Sequence, residues 1–141
     1  MFEDLTVTYA ENGSFTLLQG ESINKAVADN KVPNDFGIYL IYSGEELVDN
    51  LVYIGMAGSI STDGVAKKQG IKRRLLNQHS GMKRSDYFIK YMDENKTSLK
   101  FHWYKTFDDE SRRILPALAE AKVIQEYFIA YGRLPELNLS F

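Results

Sequence analysis

The chain has 141 residues and a formal net charge of −2, with 44% hydrophobic and 26% charged residues, which is ordinary usage for one globular domain. It contains no cysteine, which excludes disulfides, thiol catalysis and cysteine-ligated zinc and fits a reducing compartment. No apolar run is long enough to span a bilayer, so a cytoplasmic protein without a membrane partner is expected.

The first 31 residues predict a small extension ahead of the main fold. Residues 5–9 and 15–18 are apolar enough for two short strands, and the Asn-Gly pair at 12–13 favours a hairpin turn between them. Ser22 is a suitable N-cap for a short helix over residues 23–30.

Three strands are predicted in the rest of the chain. Residues 36–42 and 51–56 are rich in Ile, Val, Leu and Tyr, and the polar, acidic connection between them fits an antiparallel pair. The third strand covers residues 99–107, where Phe101 and Trp103 alternate with His102 and Tyr104.

Two helices are predicted alongside these strands. The first runs over residues 71–79. The second begins near Pro116 and ends at Gly132, which suits a C-terminal cap. Its predicted buried stripe recurs at helical spacing and consists of Ala117, Ala121, Ile124, Phe128 and Tyr131. The expected fold is therefore α+β, with a small antiparallel three-stranded central sheet flanked by helices in a single domain, of which residues 1–31 are the extension and 32–138 the core.

Charge is distributed unevenly along the chain. Residues 1–66 hold ten acidic and two basic side chains, whereas residues 67–90 hold eight basic side chains and one acidic one. Such a basic segment indicates contact with phosphates, although a solvated basic face has the same composition.

Several motifs together resemble the GIY-YIG nuclease family. Residues 37–39 read GIY and residues 53–55 read YIG, at hairpin spacing. The family's further parts follow in order, and they are Arg73 or Arg74, then His79, Glu126, Pro135 and Asn138. The resemblance covers roughly residues 32–138 and implies a GIY-YIG endonuclease-like fold. Thirteen residues separate the two tyrosines, a slightly longer connection than is common in that family.

What the resemblance implies is metal-dependent hydrolysis of phosphodiester bonds in DNA. Tyr39 would act as general base or proton relay, Tyr53 would support the water or the phosphate, and Arg74 or Arg73 would hold the scissile phosphate. His79 would assist charge or proton transfer, and Asn138 would hydrogen-bond the backbone or the glutamate of the site. The cofactor would be a single Mg²⁺ or Mn²⁺ bound by Glu126.

The metal-binding glutamate has two candidates. The number of residues between Glu126 and the later Pro135 and Asn138 matches the C-terminal pattern of the family. A helical wheel, however, places Glu126 about 200° from Ile124 and Glu120 only about 40° from it. A carboxylate on the apolar side needs a reason to be there, so Glu120 is retained as the second candidate.

DNA contact is expected from basic side chains, namely Lys67, Lys68, Lys72, Arg73, Lys83 and Arg84, and binding should weaken with salt. Target selection would come from the N-terminal segment, the stretch between residues 57 and 98, a second copy in a homo-oligomer, or a partner protein. The alternative function is a catalytically inactive module that keeps the GIY-YIG fold and binds nucleic acid or protein.

Overall fold

The computed structural model describes residues 5–67, 70–76, 78–79, 82–108 and 114–138. Within this part of the chain there are five α-helices, which are α1 (Leu5–Thr8), α2 (Ile23–Asp29), α3 (Ile71–Leu76), α4 (Arg84–Asn95) and α5 (Pro116–Tyr131). Eight strands accompany them, namely β1 (Asn12–Leu17), β2 (Phe36–Ser43), β3 (Leu51–Ala57), β4 (Ser59–Ile60), β5 (Ala66–Lys67), β6 (Gln78–His79), β7 (Met82–Lys83) and β8 (Leu99–Phe107).

The central sheet is antiparallel and has the strand order β1-β8-β2-β3. The prediction of an α+β fold is confirmed, but the prediction of three strands is wrong because β1 adds a fourth. The predicted N-terminal hairpin is also wrong. Its first half is the short helix α1, and its second half pairs with β8 rather than with residues 5–9.

The three strands predicted from the sequence are present in the sheet. β8 has the expected bounds, and β2 and β3 each extend one residue further than predicted. The side chains alternate between the two faces of the sheet. One face, with Tyr39, Ile41 and Phe101, packs against α2, α3 and α4, while the other, with Ile38, Leu40 and Ile54, packs against α5. We call the first the tyrosine face and the second the α5 face.

α5 has the expected beginning and end, with Pro116 in its first turn and Gly132 left-handed at φ 68°. Its buried side is rotated from the prediction, since the buried residues are Pro116, Ala119, Val123, Ile124 and Tyr127. The predicted core residue Phe128 is 50% exposed. The prediction used the spacing of alanine and aromatic residues to choose the buried side. Ala117 is in fact exposed, and Tyr127 is buried in the core instead of Phe128.

Two further elements differ from the prediction. The helix expected over residues 71–79 ends at Leu76, and His79 lies instead in β6, which pairs with β7. α4 follows directly and was not predicted. Among the described residues, no helix combines the length and the apolar character that crossing a membrane requires.

Candidate active site

Tyr39 and Tyr53 lie side by side on the tyrosine face, near the β3 edge of the sheet. Tyr39 is opposite Gly55 in the β2–β3 register, and Tyr53 is opposite Ile41. The two ring centroids are 5.9 Å apart, with 32° between the ring planes. Tyr39 is only 1% exposed, whereas Tyr53 is half-buried. Both tyrosines therefore lie on one face of the sheet.

Gly55 makes this pairing sterically feasible. A Cβ atom at residue 55 would come within 2.5 Å of Cζ of Tyr39 and 2.6 Å of Cε2 of Tyr53. No real Cβ atom tolerates such distances, so both rings occupy space that only glycine leaves open. The glycine of the YIG tripeptide is therefore required by the packing of the two tyrosines.

Asn138 fixes the strand segment that carries Tyr53 and Gly55. β3 is the edge strand, and the residue between these two, Ile54, directs its N–H and C=O away from β2. The Ile54 N–H donates to Oδ1 of Asn138 at 2.9 Å, and Nδ2 of Asn138 donates to the Ile54 carbonyl at 2.8 Å. The Asn138 amide thus satisfies backbone groups that an edge strand leaves open, one of the two roles expected for it.

The beginning of α3 is fastened to the segment that precedes β2. The Ile71 N–H donates to the Asp35 carbonyl at 2.8 Å, and the Arg73 N–H donates to Oδ1 of Asn34 at 3.2 Å. Gly70 passes so close to Asn34 that a side chain there would meet the Asn34 carbonyl. The sequence did not predict this clamp, because the Val-Pro-Asn-Asp segment at residues 32–35 indicates only an interruption of regular structure.

Arg74 on α3 and Glu120 on α5 belong to helices on opposite faces of the sheet that both contact β3. α3 packs on the tyrosine face and α5 on the opposite face, and both helices contact β3. Arg74 is exposed, whereas Glu120 is half-buried. Burial raises the pKa of the Glu120 carboxyl to about 7, and the nearby Arg74 charge opposes part of that rise. Perturbed carboxyls of this kind are candidates for functional groups.

Glu126 occupies a different position on α5. It is exposed, and it lies six residues beyond Glu120, about 9 Å along the helix axis and about 120° around it. Glu120 is thus the half-buried carboxyl of the two and feels the charge of Arg74, whereas Glu126 is exposed. The number of residues between Glu126 and Pro135 favours Glu126, whereas burial within α5 favours Glu120.

The remaining predicted residues are distributed over several elements. Lys72 and Arg73 are exposed beside Arg74 on α3. Lys67 lies in β5, His79 in β6, Lys83 in β7, and Arg84 begins α4. His79 is therefore not on the helix that carries Arg74, contrary to the prediction. Lys68 lies outside the described residues.

A second polar cluster lies on the α5 face, toward β1. Both oxygens of Glu46 lie 3.1 Å from Nδ1 of His102, and Oδ1 of Asn12 lies 2.9 Å from its Nε2. The imidazole also stacks on Tyr104 at 4.3 Å between centroids. His102 thus packs within the sheet, and the Glu46 carboxylate reaches it from the β2–β3 connection.

The residues of the β3 edge can be tested for their fit to a divalent metal ion. Among the described residues no group of three or more His, Asp and Glu side chains gathers around one point, so any ion held here would have at most two such protein ligands from these residues and would take its other oxygens from water and substrate. Mg²⁺ is commonly bound in this way, and the half-buried Glu120 carboxyl, costly to ionise alone, would be stabilised in its charged form by such an ion. The donor set therefore fits.

Comparison with known proteins adds no family assignment. The chain has no significant match to any protein-family model, curated protein or solved structure.

Proposed function

We propose that this protein is a GIY-YIG-type endonuclease that hydrolyses phosphodiester bonds in DNA with one Mg²⁺ or Mn²⁺ ion, in the cytoplasm. The observation that carries the proposal is the tyrosine pair packed over Gly55 at the β3 edge of the sheet, where α3 with Arg74 and α5 with Glu120 both contact β3. A tyrosine pair, an arginine and one carboxylate are the residue types that the motif resemblance leads one to expect.

Each side chain has a chemical role in this proposal. Arg74 is exposed and permanently charged, so it can bind a phosphoryl oxygen through its planar guanidinium. Tyr53 is half-buried, and its hydroxyl would orient the attacking water or the phosphate. Tyr39 would pass on the water's proton from its buried position next to Tyr53.

Glu120 is the metal ligand in this proposal, in preference to Glu126. A bound divalent ion supplies a Lewis acid for the phosphate and a stabilising charge for the departing oxygen. The carboxyl has to be ionised to hold the ion, and with a pKa raised to about 7 it ionises as the pH passes through neutrality. Cleavage should therefore increase from pH 6 to pH 8.

The DNA would approach over α3, where Lys72 and Arg73 flank Arg74 and all three are exposed. Neutralising phosphates with such side chains makes binding depend steeply on salt. Lys67, Lys68, Lys83 and Arg84 remain predicted contacts on the same basic segment of the sequence.

The near-complete burial of Tyr39 favours one competing function, a binding module for nucleic acid or protein that has kept the fold without the chemistry. A buried tyrosine can serve packing alone. This alternative predicts binding of DNA without cleavage.

A plasmid-nicking assay with Mg²⁺ or Mn²⁺ separates the two functions. The nuclease proposal predicts nicking that EDTA abolishes and that Tyr39→Phe, Arg74→Ala and Glu120→Gln each reduce by roughly 10² or more, the scale of losing one catalytic group. Glu126→Gln is the matched control and should stay within about twofold of the wild type. Intact DNA binding without nicking would establish the module instead.

A further inference from the structure

The outward side of α5 carries a regular stripe that no part of the described chain covers. Leu115, Leu118 and Ile129 are 45%, 48% and 74% exposed. The complete stripe also contains Lys122, Gln125 and Gly132, which are exposed as well. Its members are spaced alternately by three and four residues. The four within α5 lie at the a and d positions of a coiled-coil helix, and Leu115 and Gly132 cap the two ends of α5.

This stripe is self-complementary when a second copy of α5 runs in the opposite direction. In the best antiparallel register, Leu118 of one copy lies opposite Ile129 of the other, and Lys122 lies opposite Gln125. Leu115 then lies opposite Gly132, which has no side chain. Each apolar side chain of one copy then meets an apolar or side-chain-free position of the other. We propose that two copies of this chain associate through antiparallel packing of their α5 helices.

Charge supports this orientation over the parallel one. In the antiparallel pair, Lys122 lies within about 1.5 Å, measured along the helix axis, of the level of Glu126 in the second copy. In a parallel pair the two Lys122 side chains would face each other in one layer, which is unfavourable. Lys122 and Glu126 are both exposed, and within the described part of the chain no ion pair joins these two residues.

The size of the surface sets the expected affinity. α5 has 16 residues, which is about 24 Å of helix, and one such helix from each copy covers less than the roughly 1,600 Å² of a standard stable interface. The expected state is a weak dimer whose population rises with protein concentration. The proposal does not depend on nuclease activity.

Cysteine cross-linking tests the geometry without background, since the chain has no cysteine of its own. Under mild oxidation, a mixture of the Leu118→Cys and Ile129→Cys proteins should form a mixed disulfide faster than either protein links to itself. Leu47→Cys, 55% exposed and outside α5, is the control and should not link. Absence of the mixed product, or linkage of Leu118→Cys mainly to itself, would overturn the antiparallel pairing.

Charge reversal measured by sedimentation equilibrium tests the same arrangement independently. Lys122→Glu or Glu126→Lys alone turns two attractive pairs per dimer into repulsive ones and should raise the dissociation constant about tenfold. The double variant restores opposite charges and should return the constant to near the wild-type value. A wild type that stays monomeric up to its solubility limit, or a double variant no tighter than the single ones, would refute the proposal.

Discussion

Two polar clusters lie at different ends of the same sheet, and they differ in whether their ionisable group has hydrogen-bond partners that stabilise it. Toward β1, His102 is 7% exposed, and both of its ring nitrogens face oxygen atoms, those of Glu46 and Asn12. At the β3 edge, Glu120 is half-buried, and burial raises its pKa although the Arg74 charge opposes part of the rise. The first arrangement satisfies a buried polar group and needs no ligand to explain it. The second leaves a carboxylate costly to ionise, which is typical of functional sites.

The largest expected effect comes from filling the space under the two tyrosines. Gly55→Ala places a methyl group within 2.5 Å of Tyr39 and should lower the free energy of unfolding by about 2–3 kcal/mol, the usual cost of overpacking. It should also abolish nicking, because both rings must move. Chemical denaturation and the nicking assay measure the two effects.

The control for this substitution is Gly64→Ala. Gly64 has φ 83° and no atom within 4 Å of an added Cβ, so the change costs only backbone strain of about 1 kcal/mol. Unaltered stability and nicking in Gly55→Ala would show that the tyrosines do not need the positions described.

Breaking the other cluster should affect stability alone. His102→Ala removes the partner of Glu46 and Asn12 and the stacking on Tyr104, at an expected cost of about 2 kcal/mol in denaturant unfolding. Nicking by the folded variant should be unchanged. Ser14→Ala, which is exposed and opposite His102 in the β1–β8 register, is the control and should cost less than about 0.5 kcal/mol. If His102→Ala lost as much nicking as Glu120→Gln, the cluster around His102 could not be assigned to stability alone.

Asn138→Ala should destabilise the β3 edge, with a smaller loss of stability than His102→Ala. It removes two hydrogen bonds to the Ile54 backbone, and a cost of about 1–2 kcal/mol is expected. Amide hydrogen exchange of Ile54 should accelerate more than that of Leu40, which lies inside the sheet. Asn24→Ala, at an exposed position of α2, is the comparison. Equal exchange in Asn138→Ala and the wild type would contradict the role assigned to this amide.

The smallest expected effect is a stabilisation, produced by Glu120→Gln. Folding raises the pKa of Glu120 from 4.5 to about 7. Between these pH values the folded protein binds more protons than the unfolded chain, so the free energy of unfolding falls as the pH rises. Glu120→Gln removes this penalty. The variant should equal the wild type near pH 4 and exceed it by about 1 kcal/mol at pH 8, after discounting for partial solvent exposure. Urea unfolding at both pH values measures it, and a difference independent of pH would contradict the assignment.

Local sequence signals predicted the parts of the fold that local chemistry controls. β8, β2 and β3 are specified by runs of β-branched and aromatic residues, and the ends of α5 by Pro116 and Gly132. The place of β1 depends on pairing with a strand almost ninety residues away, and a nearby Asn-Gly pair suggested a local hairpin instead. Asn12 in fact begins the strand and binds His102.

The candidate site was predictable in residue type and only partly in position. The GIY and YIG tripeptides predicted the tyrosine pair, because strand alternation fixes the faces of both side chains. The choice between Glu120 and Glu126 required the rotation of α5 about its axis, which is set by packing of Val123 and Tyr127 against the sheet. The wheel drawn from sequence had already placed Glu120 on the apolar side.

Paramagnetic mapping with Mn²⁺ tests the central claim, that the β3 edge is a metal-dependent phosphodiesterase site centred on Glu120. Mn²⁺ is added in small amounts to ¹⁵N-labelled protein bound to a short DNA duplex, at pH 8 and with Glu126→Gln and Glu120→Gln as comparison proteins. The account predicts that amide signals around Glu120 and Arg74 broaden first in the wild type and in Glu126→Gln, and that this broadening disappears in Glu120→Gln. Broadening that centres on Glu126, or that Glu120→Gln leaves unchanged, would contradict it.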